Sequence, residues 1–227
     1  MSQDPIAHIS ELLLTKSGVK QVTYRNICQV FKLLKKEAIK LIETINAQTD
    51  TKDEDITLSV NEISDQEFHV KVAGDLLVFF LHTNIITLSE DYAFNKSSYV
   101  QGNAARKYLG QINVYNFMAD SLKYNRLNDP GYLLARLMVN FENRFIVEGD
   151  RQINFMFESV SEKPLEKTDL SILIQLIITQ AINNDLVVPP FQKIRNISLQ
   201  QKLLQSELMG AGNKKIGFQM SSQQDVE

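Results

Sequence analysis

Between Thr23 and Ala47 the apolar residues Ile27, Phe31, Leu34, Ala38, Leu41 and Ile45 recur at alternating steps of four and three. Such spacing keeps them on one stripe of a 3.6-residue helix and predicts a long amphipathic helix over 23–47. Lys32, Lys35, Lys36, Lys40 and Glu43 fall on the opposite side, as a solvated face requires. Ahead of it, Pro5 suits a first helical position, and Ile6 to Leu14 predicts a short helix that Ser17-Gly18 is expected to stop. TDTKDED, which follows the long helix, reads as a loop.

From Ile56 the period drops to two. ITLSVNEI, EFHVKVAGD and DLLVFFLHTNIITL predict strands separated by Ser64-Asp65 and Gly74-Asp75, and the short connections favour antiparallel hairpins. Phe68, Val70 and Val72 share one face of the second strand, leaving Glu67, His69 and Lys71 on a face expected to be wet. LLVFFL is apolar on both faces, which suits a central strand covered on each side. The stretch 89–111 carries turn residues and no clear period, whereas INVYNFMA (112–119) alternates as a strand. DSLKYNRLNDPGY is a polar connection ending in the turn signal Asn128-Asp129-Pro130-Gly131. Leu133 to Phe157 then reads as a three-stranded meander, with Gly149-Asp150 as a two-residue hairpin turn that sets Glu148 opposite Arg151 and Ile146 opposite Ile153.

LSILIQLIITQAI (170–182) is apolar nearly all round and predicts a buried helix capped by Thr168. Its thirteen residues, interrupted by polar side chains, fall short of the roughly 20 that a membrane span needs. The expected fold is therefore α+β: a mostly antiparallel sheet of six or seven strands over 56–158, packed by the long N-terminal helix and a buried C-terminal helix. Residues 1–192 form one domain in this reading, 193–210 a helical appendage with its helix at 198–209, and 211–227 a disordered tail.

Composition narrows the class of protein. The 227 residues are 44% hydrophobic and 22% charged, which excludes collagen-like and wholly disordered chains. A net charge of −3 excludes a globally basic nucleic-acid coat, although seven basic residues against one acidic residue between Lys16 and Lys40 make the long helix locally positive. One cysteine, Cys28, forbids an internal disulfide; beside Ile27 and Phe31 it reads as a small core side chain. The start, MSQDPIAHISELLL, lacks the basic flank of a signal peptide, so the chain is expected in the cytoplasm, away from the membrane.

Chemistry-bearing motifs are scarce. His8, His69 and His82 lack metal-ligand spacing, and no phosphate loop, dinucleotide fingerprint, nucleophile elbow or H-E-x-x-H occurs. No cofactor is implied. Glu142, Glu148 and Asp150, near the ends of the expected meander with Arg144 and Arg151, are the carboxylates a metal-dependent hydrolase or nuclease would need. The bland alternative is an exposed cross-strand ion pair between Glu148 and Arg151.

The most unusual feature is a segment. Six of the seven tyrosines (92, 99, 108, 115, 124 and 132) fall between residues 92 and 132, among six asparagines and five basic residues. Tyrosine joins a rigid aromatic face to a polar tip, so this segment is the candidate recognition surface, with Tyr108, Tyr115, Asn116, Tyr124, Arg126 and Arg106 as its expected binding residues. The leading expectation is a non-enzymatic intracellular module that binds a partner protein or a small ligand there. Alanine at Tyr108, Tyr115, Tyr124 and Arg126 should then abolish capture while sparing the melting temperature. Homodimerisation through the stripe of the long helix is a subsidiary expectation. Nucleic acid is a less favoured partner: SGVKQVTYRNICQVF has helix-turn-helix-like spacing, and Lys32 to Lys40 with Arg106, Lys107 and Arg126 would meet phosphates.

Overall fold

In a computed structural model, the protein is described at residues 4–49, 56–127, 129–149, 151–157, 161–184, 186–187, 190–196, 198–200 and 219–220. Six strands form one antiparallel sheet in sequence order: β1 (Leu58–Ser64), β2 (Glu67–Val72), β3 (Asp75–Leu81), β4 (Gly110–Met118), β5 (Tyr132–Val139) and β6 (Phe145–Gly149). The alternation read from the sequence sets its faces. Phe68, Val70 and Val72 join Leu77, Phe79, Ile112 and Val114 in the main core, where the Phe68 and Phe79 rings stack at 4.5 Å and Phe31 approaches Phe68 at 5.2 Å.

Two helices cover that face and pack on each other: α2 (Gly18–Gln48), through Ile27, Phe31, Leu34, Ala38 and Ile42, and α7 (Lys167–Asn183), through Leu170, Leu173, Ile174, Ile177, Ile178 and Ala181. The stripe that the sequence offers to a second copy is thus consumed inside the chain. Cys28 packs against the same core. At Gly110 the sheet approaches α2 closely, since a Cβ there would lie 2.6 Å from Ile27. The α7 cap is Glu166 rather than Thr168: its amide donates to Asp169 Oδ2 at 2.9 Å in a reciprocal capping box.

Ser17-Gly18 does not stop the first helix. α1 (Pro5–Leu12), capped by Asp4, runs through a π turn at Leu13–Ser17 straight into α2, giving one 44-residue helix in which Gly18 keeps right-handed helical geometry. A glycine inside a helix costs only about 1 kcal/mol, and the π turn absorbs the change of phase without a break. No residue of Pro5–Ser17 is buried, and Ile6, Ile9, Leu13 and Leu14 are all more than half exposed.

The second half of the expected meander is also corrected. Residues 151–156 form a helix, α6 (Arg151–Met156), so the sheet ends at β6 and Glu148 lies opposite Arg136 of β5 instead of Arg151. The reason is local. Asn154 Oδ1 accepts the Gly149 amide at 3.1 Å, and Ile153 folds back until a Cβ on Gly149 would meet it at 2.7 Å, which only a turning chain allows. A register shift between Val114 and Tyr115, against Ala135 and Leu133, lets both Leu134 and Ala135 be buried while Leu133 is exposed.

The second face of the sheet is covered by the stretch that has no sequence period. It folds into α3 (Ala93–Lys96), α4 (Ser98–Gln101) and a 3₁₀ turn at Ala104–Lys107, and Phe94, Val100, Leu109 and Met138 make a smaller core beneath it. His69, expected to be wet, is 5% exposed and hydrogen-bonded to Glu67 Oε1 at 2.6 Å. The expected helix at 198–209 lies outside the described residues except for 198–200. The expected tail at 211–227 does so too, except that Gln219–Met220 pair with Leu186–Val187. Among the described residues no helix is long and apolar enough to cross a membrane.

Candidate ligand cleft

The six nominated residues do not gather at one place. Arg106 and Tyr108 stand before β4, Tyr115 and Asn116 on it, and Tyr124 and Arg126 beyond it, after α5 (Ala119–Lys123). Asn116 is 2% exposed and donates to Asp75 Oδ1 at 2.9 Å. Arg126 is buried as well, its Nε 2.9 Å from Asp129 Oδ2. These two sit in the structure's interior rather than on its surface. Tyr115 packs beside Phe117 with ring centroids 6.5 Å apart, while the Lys20 and Lys107 ammonium groups lie over the Tyr108 ring and that of Lys123 over the Tyr124 ring.

Two tyrosines of the same segment that sequence reasoning did not nominate, Tyr92 and Tyr99, line a cleft of about 870 Å³. One wall comes from the start of α3 and α4, the floor from β6 at Ile146, Val147 and Glu148, and the other wall from Asn154, Phe155 and Phe157 in and after α6. Phe155, one of the lining residues, is 79% exposed. The signal for this cleft was split between distant parts of the chain: RQINFMF reads as a strand of the meander, and the helical turn after Gly149 brings Phe155 to the same cleft as Tyr92.

A polar network fixes the first wall. The Tyr99 hydroxyl donates to Glu142 Oε2 at 2.5 Å and accepts from Asn140 Nδ2 at 2.8 Å. Arg106 Nε donates to Glu142 Oε1 at 3.1 Å, its Nη1 to the Tyr99 carbonyl at 2.9 Å, and its guanidinium lies 4.4 Å from the centre of the Tyr99 ring. A second guanidinium, Arg144, lies 5.2 Å from the same ring and donates through Nη1 to the Ser161 carbonyl at 2.6 Å. Burial, reinforced by the hydrogen bond to Glu142, pushes the Tyr99 hydroxyl up to about 12. Asn140, fully buried, also accepts the amides of Glu142 and Arg144 at 3.0 Å, and with Asn143 at a positive φ of 60° it shapes the turn that presents both charges.

On the floor, Glu148 is ion-paired with Arg136. Burial disfavours the Arg136 charge, but Glu148 and the Tyr92 hydroxyl outweigh it, and its pKa is raised. Glu142 and Glu148, two of the carboxylates considered for a metal site, are therefore matched to arginines, and Asp150 lies outside the described residues. Among the described residues no three or more His, Cys, Asp or Glu side chains are placed to hold a metal ion. Of the basic residues considered for phosphates, Arg106, Arg126 and Lys35 are ion-paired with Glu142, Asp129 and Glu62, while Lys32, Lys36 and Lys40 are exposed. The helix-turn-helix spacing is not realised, because the helix is continuous through Gly18.

No family model matches the chain, and no curated protein and no solved structure matches it either.

Proposed function

We propose that the protein is a non-enzymatic binding module and that its ligand, a small organic molecule, occupies the cleft between Tyr92 and Phe155. The observation that carries this reading is the cleft itself. At about 870 Å³ it falls within the range of small-molecule sites, and aromatic rings from two distant parts of the chain face it. The tyrosine-rich segment enters this reading through Tyr92 and Tyr99, not through the six residues expected from the sequence. The non-enzymatic part of the reading is supported by the state of the neighbouring titratable groups. Glu142 and Glu148 are held by arginines, and Tyr99 stays protonated well past neutral pH, which suits a fixed wall better than proton transfer.

The test is a thermal-shift screen of small organic compounds on the wild-type chain and on a Tyr92→Ala/Phe155→Ala variant. Compounds that raise the melting temperature of the wild type and leave the variant unmoved support the reading. Compounds that shift both equally, or a screen with none that shifts the wild type, oppose it.

A further inference from the structure

Arg144 lines the cleft, Arg106 and Arg136 contact its lining residues Tyr99 and Glu148, and the three arginines differ in what neutralises them. Arg106 is matched to Glu142 and Arg136 to Glu148. Among the described residues Arg144 is matched to a neutral carbonyl, that of Ser161, rather than to a carboxylate. Its guanidinium is nevertheless held in place, by that bond and by the Tyr99 ring 5.2 Å away. A guanidinium keeps its charge at any ordinary pH and has five N–H donors in a rigid fork, of which the Ser161 carbonyl uses one. A fork already immobilised loses little entropy on meeting a second planar acceptor. Of the two glutamates that line the cleft, Glu148 has its charge met by Arg136, and Glu162 is exposed to water. Arg144 is thus the cation that an incoming ligand can neutralise.

We infer that the cleft selects small organic anions, with a flat apolar body against Tyr92 and Phe155 and a carboxylate on the Arg144 guanidinium. This inference rests on the reading of the cleft as the ligand site and adds the charge of the ligand. It also gives Arg144 a task its neighbours lack: Arg106 builds the wall, Arg136 balances the floor, and Arg144 recognises.

The experiment uses three probes of one shape and different charge: 3-phenylpropionate, 3-phenylpropanamide and 3-phenylpropylamine, each titrated into the full chain with NMR as the readout. The carboxylate should bind at least about tenfold more tightly than the amide, as charge-assisted hydrogen bonds imply, and the amine most weakly. Arg144→Gln should reduce the carboxylate to the level of the amide without altering amide binding. Arg144→Lys, which keeps the charge and loses the fork, should fall between the two, and it carries the test where Arg144→Gln lowers the melting temperature too far. An amine or amide that binds as well as the carboxylate, or a carboxylate preference that survives loss of Arg144, overturns the inference while the cleft stands as a ligand site. Failure of all three probes to bind in a manner sensitive to Tyr92→Ala overturns both.

Discussion

Arg126 and Asp129 form a buried ion pair, Nε to Oδ2 at 2.9 Å with side chains 3% and 4% exposed, and Ser121 Oγ donates to the same carboxylate oxygen at 2.7 Å. The pair closes the connection between β4 and β5, where Asn125 at a φ of 49° turns the chain back. Removing one partner leaves the other charge desolvated and unmatched. Arg126→Ala should therefore cost about 3–5 kcal/mol in urea unfolding. Arg126→Leu combined with Asp129→Leu should cost less than either alone, because no charge is then stranded. This is opposite to the behaviour expected of a surface recognition residue, for which the melting temperature would be spared.

Tyr99 gives a pH signature. Its hydroxyl is neutral in the fold with a pKa pushed from 10.0 up to about 12, so the folded chain holds this proton more tightly than the unfolded chain does. The contribution is fully present below pH 10 and is lost as the pH rises toward about 12. Tyr99→Phe should flatten the fall in unfolding free energy across that window, measured by urea titration at stepped pH. An equally steep fall in the variant would place the effect elsewhere.

Ala73 occupies the first central position of the β2–β3 turn at a φ of 50°, a conformation that costs a side chain carrying Cβ and that glycine adopts freely. Ala73→Gly should raise stability by about 0.5–1 kcal/mol, the relief of strain exceeding the added backbone entropy of the unfolded chain. Differential scanning calorimetry is sufficient to read the sign.

Gly110 faces the opposite outcome. With Ile27 2.6 Å from any Cβ placed there, Gly110→Ala must part α2 from β4 or distort Ile27, at a cost of about 1–3 kcal/mol. Pairing it with Ile27→Ala, which clears the space, should recover part of the loss in a double-mutant cycle.

The helical arm before Gly18 makes no buried contact. Deleting residues 1–12 should leave the melting temperature within about 2 °C of the full chain, as surface changes within about 0.5 kcal/mol imply. A larger fall would mean that the arm is packed in solution.

The sheet and its two covering helices were legible because both rest on a period. The two-residue alternation of Phe68, Val70 and Val72 and the three-four spacing from Ile27 to Ala38 are local statements of which side is buried. The misreadings occur where one residue carries two meanings. Gly18 marks a stop in a sequence and is tolerated here inside a helix that continues on both sides of it. Gly149 marks a hairpin turn, yet here it makes room for Ile153 to fold back. The site was harder still. Density of tyrosines singled out a segment of which Tyr92 and Tyr99 line the cleft, but Asn116 and Arg126 within it are held in the interior by the carboxylates of Asp75 and Asp129, pairings that composition does not reveal. Arg144 and Phe155, which complete the cleft, belong to stretches that looked like ordinary strand ends. A concavity is a property of how distant segments meet, and no single window of sequence contains it.

The wall of the cleft is built differently from the rest of the molecule. Arg106 and Glu142 hold each other by charge and anchor Tyr99 by hydrogen bonds and a guanidinium–ring contact, with the Arg106 and Glu142 side chains about a quarter to a third open to water, whereas α2 and α7 hold the sheet by apolar contact. Dissolved ions weaken the former and leave the latter untouched or strengthened. Raising the salt should therefore loosen the mouth while the body stays intact, so that ligand capture and global unfolding respond to ionic strength independently.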